Sequence, residues 1–225
     1  MHSLLSEGDL EAIFLTLQLA LVSTVLLLLV SLPLAWWLAK SRWRFRFVIE
    51  ACVALPLVLP PTVLGFYLLL LLSQQGPLAQ LGLGTLAFSF EGLVIGSMVY
   101  SLPFVVQPIQ QAFRDIPDPT LEAAATLGAG PIDRFFSVVV PMTLPGILSA
   151  ATLGFAHTLG EFGVVLMIGG NIPGQTQVAS IALYEHVESI DFIAAHQLAA
   201  TMLVIALVLM LTVYALNRRV RGLGR

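Results

Sequence analysis

Residues 10–38 read LEAIFLTLQLALVSTVLLLLVSLPLAWWL, a run of 29 residues in which Glu11 is the only charged side chain. An α-helix needs about 20 apolar residues to cross about 30 Å of hydrocarbon, so this run predicts a membrane-spanning helix. The whole chain has the same character, with 58% hydrophobic and 10% charged residues among 225. This composition excludes a disordered chain, and unbroken apolar runs without alternation disfavour a lipid-spanning β-barrel.

Four further stretches are long and apolar enough to cross a membrane. They cover residues 48–72, 92–112, 146–169 and 193–216. We see neither an internal repeat nor a linker long enough to join two domains. The sequence therefore predicts an all-α transmembrane fold of five helices in a single domain, residues 1–225.

The ten Lys and Arg residues alternate between the six segments that these spans leave outside the bilayer, in the order 0, 4, 0, 2, 0, 4. Cytoplasmic segments carry the excess of positive charge. The N-terminus is therefore expected outside and the C-terminus in the cytoplasm. Contact with lipid phosphates accounts for most of these residues. The ten basic residues are Lys40, Arg42, Arg44 and Arg46, then Arg114 and Arg134, then Arg218, Arg219, Arg221 and Arg225.

The largest cytoplasmic segment, residues 113–145, carries the signals of a short helix. Asp118 followed by Pro119 fits an N-cap with proline at the first helical position, and Gly128 fits the end of the helix. Pro131 then predicts a second helix from residue 132 towards residue 140. The first helix is short, and its apolar face consists of small side chains, so it cannot build a core alone. It is expected either against the chain's own spans or in the groove of a partner.

Three prolines interrupt the second span. Pro56, Pro60 and Pro61 donate no backbone hydrogen bond, and each disrupts bonding to the carbonyl four residues before it. Backbone carbonyls left without donors cannot face lipid. The helix is therefore expected to break where it packs on protein or lines a watery cavity, and the pattern alone does not choose between these two reasons.

Several stretches resemble a known family. Glu122-Ala123-Ala124, followed by Gly128, Ile132 and Leu144-Pro145, resembles the EAA loop of ABC importer permeases. LPLVLPPT at residues 55–62, TLGA at 126–129, LGEFG at 159–163 and NIPG at 171–174 are similar to the molybdate, tungstate and sulfate branch. The resemblance covers nearly the whole chain. His157 departs from it, because the branch often has arginine there.

The resemblance implies a five-helix permease core in the plasma membrane of a bacterium or archaeon. Its expected partners are a second copy of the chain, two ATP-binding cassette subunits, an extracytoplasmic oxyanion-binding protein and membrane lipid, with no nucleic acid. Molybdate is the favoured cargo, and tungstate, sulfate and thiosulfate are alternatives.

The resemblance also implies two sets of functional residues. Coupling to the ATPase is assigned to Glu122, Ala123, Ala124 and Gly128. The translocation pathway or its gate is assigned to Pro56, Pro60, Pro61, Thr62, Thr158, Glu161 and Gly163. No Lys or Arg lies inside a span, so an oxyanion would meet neutral donors, for which Thr62, Ser97, Thr158 and Asn171 are candidates.

Catalysis by this chain is not expected. Its one lysine, Lys40, lacks the glycine-rich loop of a nucleotide site, and HExxH and GxSxG are absent. The four histidines do not stand at metal-ligand spacing. The chain is therefore expected to bind no cofactor, with ATP used by a separate subunit.

Glu161 is a carboxyl group inside a predicted span, where charges are costly and face the protein interior. On a continuous helix His157 would lie on the same face, four residues earlier, within hydrogen-bonding reach. A gate or structural anchor is favoured over a substrate ligand, because a carboxylate repels an anion. A proton relay through both residues, in a proton-coupled carrier, is the rival interpretation, and a membrane scaffold without transport is a further one.

Overall fold

The computed structural model describes residues 5–223, with side chains described except at Leu83 and residues 216–223. The tail arginines Arg218, Arg219, Arg221 and Arg225 therefore lie outside the described side chains. The α-helices are α1 (Glu7–Lys40), α2 (Arg46–Ala54), α3 (Pro61–Leu72), α4 (Phe90–Arg114), α5 (Asp118–Thr126), α6 (Pro131–Arg134), α7 (Val140–Leu159), α8 (Gly163–Gly169), α9 (Ala179–Glu188) and α10 (Phe192–Leu223). Short 3₁₀ or π turns occupy Leu55–Leu57, Ala79–Leu83 and Phe135–Val139.

Within the described residues, four helical segments are long and apolar enough to cross a membrane. They are Glu7–Lys40, Phe90–Arg114, Pro131–Leu159 and Phe192–Ala215. A fifth candidate is the helix pair Arg46–Leu57 and Pro61–Leu72, which is bent by 110° at the break between its two arms. Counting the pair as one crossing gives the five spans that the sequence predicts.

The fourth span differs from its prediction at residues 146–169. The helical segment begins earlier, at Pro131, because the π turn Phe135–Val139 joins α6 to α7 without an interruption. It also ends earlier, at Leu159. The second half of the predicted 113–145 loop is therefore continuous with this helical segment.

Helix α4 lies at the centre of the bundle and packs on α1, α7 and α8. Small residues allow these approaches, as in membrane helices generally. A Cβ atom on Gly154 would come within 2.5 Å of Val105, and one on Gly146 within 2.5 Å of Ala112. The main core cluster lies at this junction and includes the fully buried Leu27, Val105, Ile109 and Phe113.

The two ends of the bundle differ in charge. At one end Arg114 contacts Glu50 at 2.6 Å and Lys40 contacts Asp118 at 3.1 Å, and we call this the basic end. At the opposite end, the acidic end, Asp9 accepts a 2.8 Å hydrogen bond from His186 and so ties α1 to α9. The Asp9 side chain also closes a capping box with Ser6 at the start of α1.

Candidate functional site

The second crossing is interrupted where the sequence predicts a break. Helix α2 ends at Ala54, a 3₁₀ turn follows, and α3 begins at Pro61. Pro60 and Pro61 have no N–H, so the chain cannot continue the helical hydrogen bonds across this point. One detail of the prediction is wrong. The Cys52 carbonyl is not left free, since it accepts the Leu55 N–H in the 3₁₀ turn.

The fourth predicted span, residues 146–169, contains a second interruption, which its sequence does not indicate. Helix α7 ends at Leu159, and α8 begins four residues later at Gly163. Between them the Glu161 N–H donates to the Thr158 carbonyl at 3.3 Å, and Phe162 adopts φ −131°, outside the helical region. Glu161 therefore lies in a break and not on a continuous helix.

The two breaks lie against each other. A Cβ atom on Gly163 would approach the Cβ of Pro61 to 2.8 Å and the Thr62 nitrogen to 3.6 Å. One turn further along, a Cβ atom on Gly65 would approach the Cβ of Met167 to 2.7 Å. Helices α3 and α8 thus pack with almost no side chain between them at these two glycines.

A cavity of about 590 Å³ opens beside the two breaks. Four of the predicted pathway residues line it, namely Pro61, Thr62, Glu161 and Gly163. The other three do not: Pro56 is buried near the break, Pro60 is exposed, and Thr158 is buried elsewhere. The complete lining is Pro61, Thr62, Tyr100, Ala156, His157, Gly160, Glu161, Phe162 and Gly163.

Glu161 is the buried carboxyl group of this site, with 4% of its surface exposed. Neither carboxylate oxygen makes a hydrogen bond of good geometry to a described residue, and neither does the buried Ser97 hydroxyl beside the group. The backbone at the break is better anchored, because the Ser180 hydroxyl donates a 2.6 Å hydrogen bond to the Glu161 carbonyl. This bond joins the break to α9.

His157 is held by α4 and not by Glu161, which corrects the expected pairing. Its Nδ1 lies 2.9 Å from the Ser101 hydroxyl, and its ring stacks on Phe104 with centroids 4.0 Å apart. The Tyr100 ring is tilted against the His157 ring, with centroids 4.6 Å apart. The expectation fails because the helix ends at Leu159, so residues 157 and 161 no longer share a face.

Only one of the four expected neutral donors faces the cavity with an exposed side chain, and that residue is Thr62. Thr158 is buried and lies 3.1 Å from the Ser101 hydroxyl. Asn171 lies at the acidic end and donates to Glu185 at 3.0 Å. Tyr100 lines the cavity and is missed by the sequence analysis, in which no motif singles it out.

The predicted coupling residues lie at the basic end. Helix α5 exposes Glu122 and Ala123 and half-buries Ala124, and Gly128 follows with φ +87°. The start of α5 differs from the expectation, because Pro117 is the N-cap and the Asp118 side chain makes no cap hydrogen bond. Asp118 instead pairs with Lys40, which fixes α5 to the end of α1.

Exposed apolar side chains surround α5. Leu127, Ile132 and Phe136 are 88%, 75% and 65% exposed. They flank a depression of about 350 Å³ lined by Trp36, Leu121, Pro131, Ile132, Arg134, Phe135, Phe136 and Val139. A surface this apolar at the end of a membrane domain is typical of a protein interface. No group of three or more His, Cys, Asp or Glu residues among the described side chains could hold a metal ion.

The sequence matches the family "Binding-protein-dependent transport system inner membrane component" over residues 31–222. It is 56% identical to the molybdenum transport system permease protein ModB of Azotobacter vinelandii, over 98% of this chain and 99% of that protein. It is 36% identical to the ModB of Haemophilus influenzae, over 80% and 81%. The sulfate transport system permease protein CysT of Salmonella typhimurium is 32% identical, over 91% and 75%.

Solved structures with the same fold are also transporters. A bacterial ABC transporter that imports the acidic polysaccharide alginate matches with a TM-score of 0.80 and 19% identity, over 95% of this chain and 80% of that one. The MetNI methionine ABC transporter, in an inward-facing conformation, matches with a TM-score of 0.75 and 19% identity, over 94% and 95%. At this identity the likeness establishes the fold alone.

Proposed function

The chain belongs to the family of binding-protein-dependent transport system inner membrane components, and from this membership we propose that it is the membrane-spanning subunit of an ATP-driven molybdate importer. It is a multi-pass protein of the bacterial inner membrane. The observation that carries the choice of molybdate is the 56% identity to a molybdenum permease along nearly the entire length of both chains. Sulfate is the second candidate cargo, supported by the 32% identity to CysT.

The cavity beside the two breaks is our proposed translocation site. Broken helices at mid-membrane depth are tolerated where the backbone is buried in protein or lines a watery cavity. Its described lining contains no Lys or Arg, so Thr62 and Tyr100 offer neutral hydroxyl groups to an oxyanion. Weak binding suits a site that must release its cargo at each cycle. Tight capture then belongs to a separate binding protein outside.

The α5–α6 surface, formed by α5, α6 and the exposed Leu127, Ile132 and Phe136, is our proposed docking site for an ATP-hydrolysing subunit. Its exposed apolar side chains and its position at the basic end support this assignment, since the basic end of a membrane protein faces the cytoplasm. We further propose that the functional unit contains two copies of the chain and two such ATPases, which move the coupling loops together and switch access between the two sides.

A proton-coupled carrier is the less favoured alternative. It would use His157 and Glu161 as a relay, but His157 is engaged with Ser101 and neither Glu161 oxygen bonds to it. Without that contact the two side chains do not form a direct path for a proton.

Reconstitution tests both the class of transporter and the identity of the transported ion. The chain is placed in vesicles with its ATPase and an exported oxyanion-binding protein, and uptake of molybdate, tungstate and sulfate is measured with and without ATP. We expect ATP-dependent uptake with molybdate preferred. Uptake of sulfate alone would reassign the cargo, and uptake driven by a proton gradient without ATP would refute the ABC assignment.

A further inference from the structure

The connection between α1 and α2 alternates arginine with aromatic residues, SRWRFRF at residues 41–47. The structure folds this connection around a cavity of about 390 Å³ at the basic end. Its lining includes Arg42, Arg44, Arg46, Trp43, Phe47 and Glu50. This cavity is separate from the translocation cavity and from the α5–α6 surface, and the proposed function does not use it.

The charge around this cavity is not balanced. Its one carboxylate, Glu50, lies 2.6 Å from Arg114 and 3.6 Å from Arg46, so two guanidinium groups already neutralise it. Arg42 and Arg44 have no carboxylate within 4.0 Å among the described side chains. The Arg44 guanidinium lies over the Phe45 ring, 5.0 Å from its centre. An anionic ligand would therefore meet two uncompensated guanidinium groups, which favour phosphate because they donate in a planar fork.

The aromatic residues of the same connection indicate where the anion comes from. Trp43, Phe45 and Phe47 are 50%, 46% and 60% exposed, directly after a 34-residue membrane helix. Tryptophan is enriched at the level of the lipid headgroups, and the exposed phenylalanines beside Trp43 add apolar surface there. A free phosphate ion would make no use of them, whereas a phospholipid would contact them with its glycerol and acyl chains.

We propose that the cavity formed by Arg42, Arg44 and Arg46 binds the phosphodiester headgroup of an anionic phospholipid. Arg42 and Arg44 hold the phosphate. Arg46 is oriented by Glu50 and donates to the Ser41 carbonyl at 3.0 Å, which closes the loop around the site. Because Arg46 begins α2 and Glu50 also contacts Arg114, a bound headgroup fixes the start of the helix that leads to the proline break.

Native mass spectrometry of the complete transporter, released from detergent, measures this binding directly. The probes are phosphatidylglycerol, phosphatidylcholine and inorganic phosphate. We expect retention of phosphatidylglycerol over phosphatidylcholine, and about tenfold weaker retention in Arg42→Gln and in Arg44→Gln. Arg225→Gln is the matched control, since it removes one positive charge from the C-terminal tail, outside the connection at residues 41–47. Arg44→Lys keeps the charge but loses the planar fork, so its retention is expected to lie between those of the unmutated complex and Arg44→Gln.

Two results would overturn the proposal. One is equal retention of phosphatidylglycerol by Arg42→Gln, Arg44→Gln and Arg225→Gln. The other is binding of inorganic phosphate as tightly as phosphatidylglycerol, with displacement of the lipid, which would make the site one for a free anion.

A Trp43→Ala variant separates the two ligands further, because it is expected to weaken lipid binding and leave phosphate binding unchanged. Gel filtration and the melting temperature of each complex show whether a variant is folded. The measurement needs no transport, so its outcome is independent of the cargo.

Discussion

Gly163 and Pro61 lie so close that a Cβ atom on the glycine would stand 2.8 Å from the Cβ of the proline. They belong to different crossings, and each marks the first residue of the helix that follows a break. The contact therefore sets the spacing of the two interrupted helices at the cavity. Any side chain at residue 163 must push α3 and α8 apart.

The first prediction follows from this contact. Gly163→Val is expected to destabilise the protein by about 1–3 kcal/mol through overpacking and to abolish most uptake. Uptake by reconstituted vesicles and the melting temperature in detergent are the measurements. Gly8→Ala is the control, because its nearest neighbour would be 3.8 Å away at the surface. Normal uptake by Gly163→Val would show that the spacing of the breaks is not critical.

The second prediction concerns water access to Thr62. In a Cys52→Ala background, which removes the exposed native thiol, Thr62→Cys is expected to react with a water-soluble thiol reagent. The rate is expected to change when the ATPases are trapped with ATP. Leu68→Cys on the same helix is the control and is expected to stay unreactive, since Leu68 is buried. Protection of Thr62→Cys in every nucleotide state would indicate that the break serves packing alone.

The third prediction separates gating from proton transfer at Glu161. Glu161→Gln preserves size and hydrogen-bonding reach, so ATP-dependent uptake is expected to fall only partly. Glu161→Ala removes the buried carboxyl group from the cavity wall and is expected to abolish most of the uptake. Vesicles with ATP and no proton gradient provide the assay, with the exposed Glu91→Gln as control. Failure of the unmutated complex under these conditions would support the proton-coupled alternative.

The fourth prediction uses two glycines of the coupling region. A Cβ atom would meet nothing within 4 Å at Gly128 or at Gly130, but only Gly128 has a positive φ, +87°. Gly128→Leu is expected to strain the backbone by about 1–2 kcal/mol and to weaken ATPase association, while Gly130→Leu is better tolerated. Pull-down of the ATPase and vesicle uptake measure the difference. Equal ATPase recovery and uptake in the two variants would remove Gly128 from the coupling assignment.

Much of this architecture is predictable from sequence because lipid imposes length and composition on each crossing. The proline break at residues 58–60 is also predictable, since Pro60 and Pro61 remove two donors in succession. The break at Glu161 is not, because Gly160 and Gly163 permit a helix as well as a turn and the residues around them are apolar. Without this break, a continuous helix would place His157 and Glu161 on the same face, which is why the sequence predicts that they pair.

The interior positions of the site are harder still to predict. Thr158 and Ser101 satisfy each other inside the bundle, so a hydroxyl on an apolar helix does not reveal whether it faces a cavity. Tyr100 and Phe104 acquire their role from contact with His157, a residue more than fifty positions away. Such long-range contacts carry no local sequence signal.

The bend between α2 and α3 also has a consequence for the order in which the chain is assembled during synthesis. Each arm of the bent crossing has about twelve residues, or roughly 18 Å of helix, too little to span a bilayer unaided. The arm that begins at Pro61 packs on α8, whose Met167 is made about a hundred residues after Gly65. The contact between α3 and α8 can therefore form only after α8 has been synthesised, so the bent segment acquires its final packing late in biogenesis.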